Sequence, residues 1–328
     1  MQSTKIILYS LLIGSLLIGC NQGKKTKGEG KGQNSEKRLV VTNSDALEML
    51  IGLGASENIV GVNDDDIIME TFGAKNPWPS IGSWRNPNLE AIINLKPDIA
   101  ITYPNSPAPA SFDDKLKPFN ISVERVDCFR MSEYHSDMNR LASLTGKEKM
   151  ADTLIHDFDR IVNMIKNAVA DIDLKKKVYI EYGDFIAMGE GSGNNEMIEL
   201  INATNIAAKL KILYPKISTE WLLEENPDII IKVISSDTII SAIYEQVVNR
   251  AGWNKLNAVK NKQVYLISPE ICSGPRAMIG SLYFGKWCYP EKFASIDPDS
   301  VHAYWLKKYY GVPFTNKYVF NSNDISKR

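Results

Sequence analysis

From residue 38 onward, short β-branched runs alternate with apolar residues at helical spacing. "RLVVTNS" (38–44) predicts a strand and a loop, and "DALEMLIGLGA" (45–55) a helix with Leu47, Leu50 and Ile51 on one face and Gly52 and Gly54 as stops. "NIVGV" (58–62) predicts a second strand, "PNLEAIINLK" (87–96) a helix halted before Pro97, and "DIAITY" (98–103) and "ISVERVD" (121–127) two more strands. The alternation restarts with "KVYIEYG" (177–183), the helices "NNEMIELINAT" and "TEWLLEEN", and the strands "DIIIKVI" (228–234) and "QVYLIS" (263–268). Strands separated by helices predict parallel β–α units in two lobes. Between them Met150, Leu154, Phe158, Ile161, Ile165, Val169 and Ile172 form one stripe of a long amphipathic helix. About 26 helical residues span roughly 40 Å, enough to cross a lobe and act as a stiff hinge. The expected fold is α/β: two Rossmann-like lobes with parallel sheets, 38–145 and 174–328, joined by one long helix over 146–173, with a ligand cleft between the lobes. The C-terminal lobe is expected to carry the terminal helices.

The N-terminus has a different texture. Lys5 precedes the apolar run "IILYSLLIGSLLIG", which ends at Cys20. The run is short for a membrane span, which needs ~20 residues, and fits the core of an export signal. "LIGC" (17–20) resembles the lipobox of bacterial lipoproteins, which implies cleavage after residue 19 and lipidation of Cys20. The following Gly- and Lys-rich stretch, 20–37, predicts a flexible tether. An exported chain, lipid-anchored to the cell envelope, is expected. The formal net charge of −1 argues against a nucleic-acid partner. Cys128, Cys272 and Cys288 remain in the body, an odd count, with a Cys272–Cys288 bridge left open.

One phrase is written twice. "LEAIINLKPDIAI" (89–101) and "TEWLLEENPDIII" (219–231) align Glu90 with Glu220, Pro97 with Pro227, Asp98 with Asp228 and Ile99 with Ile229. With the long central helix and the segment "SPEICSGPRAMIGSLYFGKWCYPEKF" (268–293), these repeats carry a resemblance over residues 38–310. The chain resembles the helical-backbone substrate-binding proteins of ABC importers that take up ferric siderophores, haem and cobalamin. The resemblance implies a monomer that does no covalent chemistry and has no cofactor of its own. Its cargo would be an iron or cobalt chelate, delivered to a permease dimer with its ATPase. It also implies that Glu90 and Glu220 dock the two lobes to arginines of the two permease subunits.

In a two-lobed α/β protein the ligand lies off the C-terminal ends of the strands. That rule nominates Tyr103 on the first lobe and Tyr182, Phe185 and Arg276 on the second, with Ser235 and Ser236 beside them, and the loop "IGSWRNP" (81–87) adds Trp84 and Arg85. Aromatic rings suit a large planar or catecholate ligand, and arginines suit its carboxylate or phosphate groups. Trp84 could instead be packing, and Arg276 could pin a helix end. Asn43 and Ser44 read as caps of the next helix. "GEGSG" (189–193) lacks the lysine of a phosphate loop and reads as a turn before a helix. Scattered His135, His156 and His302 predict no histidine metal site. The competing cargo is an oxyanion or other anionic small molecule, favoured if Arg85 and Arg276 act together. A cleft enzyme or a surface adhesin is the reading from another class.

Overall fold

The computed structural model describes residues 37–73, 76–234, 240–315 and 318–322. The predicted leader, Cys20 and nearly all of the tether lie outside the described residues, as do Ser235 and Ser236.

The first lobe holds strands β1 (Leu39–Val41), β2 (Ile59–Val62), β3 (Ile99–Thr102) and β4 (Ser122–Arg125) in the order β2-β1-β3-β4, all parallel. Its connections carry helices α1 (Ser44–Gly52), α2 (Asp66–Phe72), α3 (Leu89–Asn94) and α4 (Pro109–Leu116). Helix α5 (Tyr134–Thr145) ends on left-handed Gly146 and leads into α6 (Glu148–Ala168). The second lobe holds β5 (Lys177–Glu181), β6 (Thr204–Asn205), β7 (Ile229–Val233), β8 (Val264–Ile267) and β9 (Val319–Phe320) in the order β6-β5-β7-β8-β9. Only β9, at the edge, runs antiparallel. Its helices are α7 (Gly193–Leu200), α8 (Thr219–Glu225), α9 (Ile240–Val248), α10 (Asn257–Lys260), α11 (Ala277–Cys288) and α12 (Pro298–Trp305), the last continued by a π-helical turn, Leu306–Tyr310.

The duplicated phrase has a duplicated structure. Asn88 caps α3 by accepting from the Ala91 N–H, and Ser218 caps α8 by accepting from the Trp221 N–H. Each helix stops at a residue of positive φ just before the proline, Lys96 and Asn226. Asp98 then accepts the Arg38 backbone N–H at 2.8 Å, and Asp228 accepts that of Lys177 at 2.8 Å. Each aspartate thus ties the start of its own strand to the start of the neighbouring strand, β1 or β5. The proline and aspartate are structural; the exposed glutamates contribute nothing to this bracing.

The hinge helix is shorter than its apolar stripe predicts: 21 residues, ending at Ala168. Ala151, Leu154, Phe158, Ile161 and Ile165 are buried, whereas Met150 at its start is exposed. Beyond Ala168 the chain turns toward the second lobe, where the Ile172 carbonyl accepts from the Asn202 side chain. Stiffness comes from more than this helix. One continuous apolar core includes Leu39 and Ile101 of the first sheet, Phe158 and Ile161 of α6, and Ile180 and Ile231 of the second sheet. Helix α11 packs into that core along its glycines. A Cβ at Gly280 would overlap the Ile271 carbonyl, and one at Gly285 would overlap the Phe293 ring. Cys128, Cys272 and Cys288 are buried free thiols, so the Cys272–Cys288 bridge is not formed.

Candidate ligand-binding site

The C-terminal ends of the first lobe's strands converge on one polar surface. After β1, the Asn43 side chain caps α1 through the Ala46 N–H and donates to the Val126 carbonyl at 2.8 Å. Ser44 donates to Asp65, which follows β2, at 2.6 Å. Tyr103, which follows β3, donates its hydroxyl to Asp45 at 2.9 Å. Burial raises the Asp45 carboxyl to about 7; Tyr103 opposes the shift, while Glu48, Asp65 and Asp127 add to it. Burial first, then Asp45, holds the Tyr103 phenol well above its ordinary range, so it remains a donor.

Trp84 stands edge-on to Tyr103, ring centroids 5.4 Å apart, and the Arg85 guanidinium lies 4.1 Å over the Trp84 ring. Trp84, Arg85 and Tyr103 therefore form one group. On the second lobe, burial, then Cys272 and Asp65, raise the Tyr182 phenol, and Arg85 opposes the shift.

The structure separates the other two nominated residues from this group. Arg276 is fully buried, and its Nε and Nη2 donate to Glu48 at 2.7 and 3.1 Å. Glu270 lies 3.8 Å from Nη2. Burial alone would lower its pKa, but Glu48 and Glu270 hold it above the usual arginine range. Arg276 therefore pins α1 to the second lobe and has no surface to offer a ligand. Phe185 adopts φ 58° and turns its ring onto Trp253 and Arg250, within the second lobe's own apolar cluster.

Below them the strand ends of the second lobe are charged but balanced. Lys232 lies 3.1 Å from both Glu181 and Asp184, and Arg250 lies 2.7 Å from both. Two cations thus face two carboxylates.

Sequence reading missed Asp45 and Asp65. Asp45 lies two residues past Asn43, and Asp65 lies in "NDDD" directly after β2, so the strand-end rule could have reached both. The glycine-rich stretch is the turn expected of it, with Ser192 capping α7. Among the described residues no group of three or more His, Cys, Asp or Glu side chains could hold a metal ion.

Two β–α lobes with mostly parallel sheets and a single backbone helix are the frame of a two-lobed binding protein. The model of the periplasmic binding protein family matches residues 39–271.

The chain belongs to the periplasmic binding protein family.

It has the helical-backbone form of that family. It is 29% identical over 266 residues to YvrC of Bacillus subtilis, an uncharacterized ABC transporter substrate-binding lipoprotein, covering 78% of this chain and 81% of YvrC. It is 26% identical over 290 residues to YfmC of the same organism, an Fe(3+)-citrate-binding protein, covering 79% and 87%. MolA of Haemophilus influenzae, a molybdate-binding protein, is 24% identical over 312 residues, covering 83% and 86%. The MolA structure superposes with a TM-score of 0.74 at 21% identity, over 85% of this chain and 94% of that one. These relatives are substrate-binding proteins, not enzymes.

Proposed function

We propose that the chain is the substrate-binding component of an ABC importer, anchored to the cell envelope by a lipid on Cys20, and that its cargo is a metal chelate. The observation that carries this reading is the aromatic side chains at the strand ends. Trp84 packs edge-on against Tyr103, which follows β3, and exposed Tyr182 follows β5 of the other lobe; aromatic area of that kind suits the organic shell of a chelate. YfmC, named for ferric citrate, and YvrC, named as a lipoprotein, support it. Purified from cells grown with iron and corrinoids, the full-length protein is expected to carry a visible absorption band. Haem, cobinamide or a ferric siderophore is expected to quench its tryptophan fluorescence. Failure of all three to bind at about micromolar level overturns the reading.

The similarity to MolA favours a second cargo, a bare oxyanion. Against it, Arg276 is committed to Glu48 and Arg85 is stacked on Trp84. Molybdate therefore belongs in the same titration.

Glu90 and Glu220 hold the docking role in this reading. Both are exposed, and both occupy the second helical position after a capped N-terminus, one on α3 and one on α8. Two like sites on two lobes match a permease of two like subunits. Exposed ion pairs are individually weak, ~0–1 kcal/mol, but they orient and steer. The double variant Glu90→Ala/Glu220→Ala is expected to cut uptake by roughly ten-fold while cargo affinity stays unchanged. A loss of cargo affinity instead would move these glutamates out of the docking role.

A further inference from the structure

The N-terminal ends of the first lobe's strands form a surface of their own, at the opposite end of the sheet from Tyr103. Contacts between neighbouring strand starts tie it together. Asn58, before β2, donates its side-chain amide to the Lys37 carbonyl at 3.1 Å. The Arg38 guanidinium, before β1, donates to the Leu95 and Lys96 carbonyls at 2.8 and 3.2 Å. The Ser122 N–H, opening β4, donates to the Asp98 carbonyl at 3.0 Å, and the Asn120 N–H closes the preceding turn on the Lys117 carbonyl at 3.1 Å. Lys37, Arg38, Lys96, Asp98 and Lys117 are all exposed. Four cations therefore stand against the one carboxylate of Asp98, since neighbouring Glu57 is paired with Lys147 at 3.7 Å. Phe119, two residues past Lys117, is 53% exposed. An uncovered aromatic ring among lysines suits the headgroup region of an anionic bilayer. The ring enters the polar–apolar boundary while the ammonium groups stay on the phosphates.

The path of the chain selects this end of the molecule. The described body begins at Lys37, so residues 20–36 lead away from this surface. They hold four lysines against two glutamates and reach at most about 60 Å. A lipid on Cys20 keeps the body within that distance of the bilayer, with the basic surface nearest the tie. Four surface cations bind weakly on their own, but a short tether supplies an effective concentration on the order of millimolar. The second lobe has a comparable turn before β5, where Leu174 is 84% exposed beside exposed Lys175. That turn lies past the far end of α6, about 30 Å of helix away from Lys147, and no tether leaves from it.

We propose that, between deliveries, the base of the first lobe rests on anionic phospholipid, with Phe119 at the polar–apolar boundary and Lys37, Arg38, Lys96 and Lys117 on the headgroup phosphates. This rests on the lipid anchor read above and adds an orientation to it. Glu90 lies in the first turn of α3 and Lys96 just past its last, so permease docking and lipid contact use opposite ends of that helix. Resting on lipid turns the Tyr103 end of the sheet toward the medium, where cargo arrives, and docking has to lift the base off the bilayer.

The test reconstitutes the lipidated full-length protein on vesicles of phosphatidylcholine, with or without phosphatidylglycerol. Lysines are acetylated by a membrane-impermeant reagent and read by mass spectrometry. Lys37, Lys96 and Lys117 are expected to react at least about five-fold more slowly on the anionic vesicles, and high salt is expected to remove the difference. Lys175 and Lys262 of the second lobe are expected to react equally on both. Lys96→Glu/Lys117→Glu is expected to return Lys37 to its rate on neutral vesicles, and Phe119→Ser to recover roughly half of the difference, both without a change in melting temperature. Equal rates on the two lipids overturn the proposal. Equal protection of Lys175 and Lys262 shows shielding without orientation and also overturns it, as does protection of Lys37 that persists in the Lys96→Glu/Lys117→Glu protein. A chain that does not float with neutral vesicles carries no lipid, which removes the anchor reading and this inference together.

Discussion

Arg276→Met is expected to lower the unfolding free energy by about 3–5 kcal/mol. The guanidinium is fully buried and neutralises two buried carboxylates that come from different parts of the chain. Glu48 sits on α1 of the first lobe and also accepts the Tyr310 hydroxyl at 3.0 Å. Glu270 follows β8 of the second lobe and accepts from Thr71 of α2 at 2.7 Å. His302, 3.3 Å from Nη1, gives no charge in exchange: burial, then the neighbouring Arg276, push its pKa down to about 2. Methionine fills much of the volume but leaves Glu48 and Glu270 facing each other without a cation. Breaking a buried pair from one side costs more than the pair contributed, because the orphaned charge remains desolvated. Adding Glu48→Gln to Arg276→Met is therefore expected to restore part of the loss. Urea unfolding at neutral pH measures both. A loss under about 1 kcal/mol would mean that the network behaves like a surface pair and does not hold the lobes together.

That network marks where sequence reading stops. The strands, the capped helices and the twin "PD" brackets were legible because each rests on contacts close in sequence or on local backbone chemistry. Asn88 reaches Ala91, and Ser218 reaches Trp221. Arg276 was misjudged because its partner, Glu48, lies 228 residues away. A strand-end position says where a side chain starts, and a distant carboxylate decided where it went. Phe185 failed for a related reason: a positive φ turned its ring into the second lobe's own core. The hinge helix was overextended because the apolar stripe continues through Val169 and Ile172 after the helix has ended. Tyr103 and Tyr182 were reachable from strand ends, Trp84 and Arg85 only from the loop before α3, and the structure packs Trp84 against both Tyr103 and Arg85.

Asp45→Asn is expected to make the protein more stable at pH 8 and a poorer binder of a cationic chelate. Burial raises the Asp45 carboxyl from 3.8 to about 7 in the folded protein, with Glu48, Asp65 and Asp127 adding to the shift and the Tyr103 hydroxyl opposing it. Between these values the folded state holds a proton that the unfolded chain has released. Its contribution to stability is therefore fully present below about pH 4 and lost as pH rises through about 7. Asparagine keeps an acceptor for Tyr103 and removes the ionisation. The gain should be small near pH 4 and reach on the order of 4 kcal/mol at pH 8. Melting curves of both proteins across that range measure it; a gain that shrinks as pH rises reverses the assigned sign. Binding should move the other way. As Asp45 ionises between about pH 6 and 8, wild-type affinity for a cationic chelate should rise by roughly five-fold, and the rise should vanish in the variant. A carboxylate that costs stability yet strengthens binding is the mark of a residue placed for its ligand rather than for the fold. If Asp45→Asn stabilises the protein and leaves the pH profile of binding intact, Asp45 is packing beneath Gly274 and does not act on the ligand.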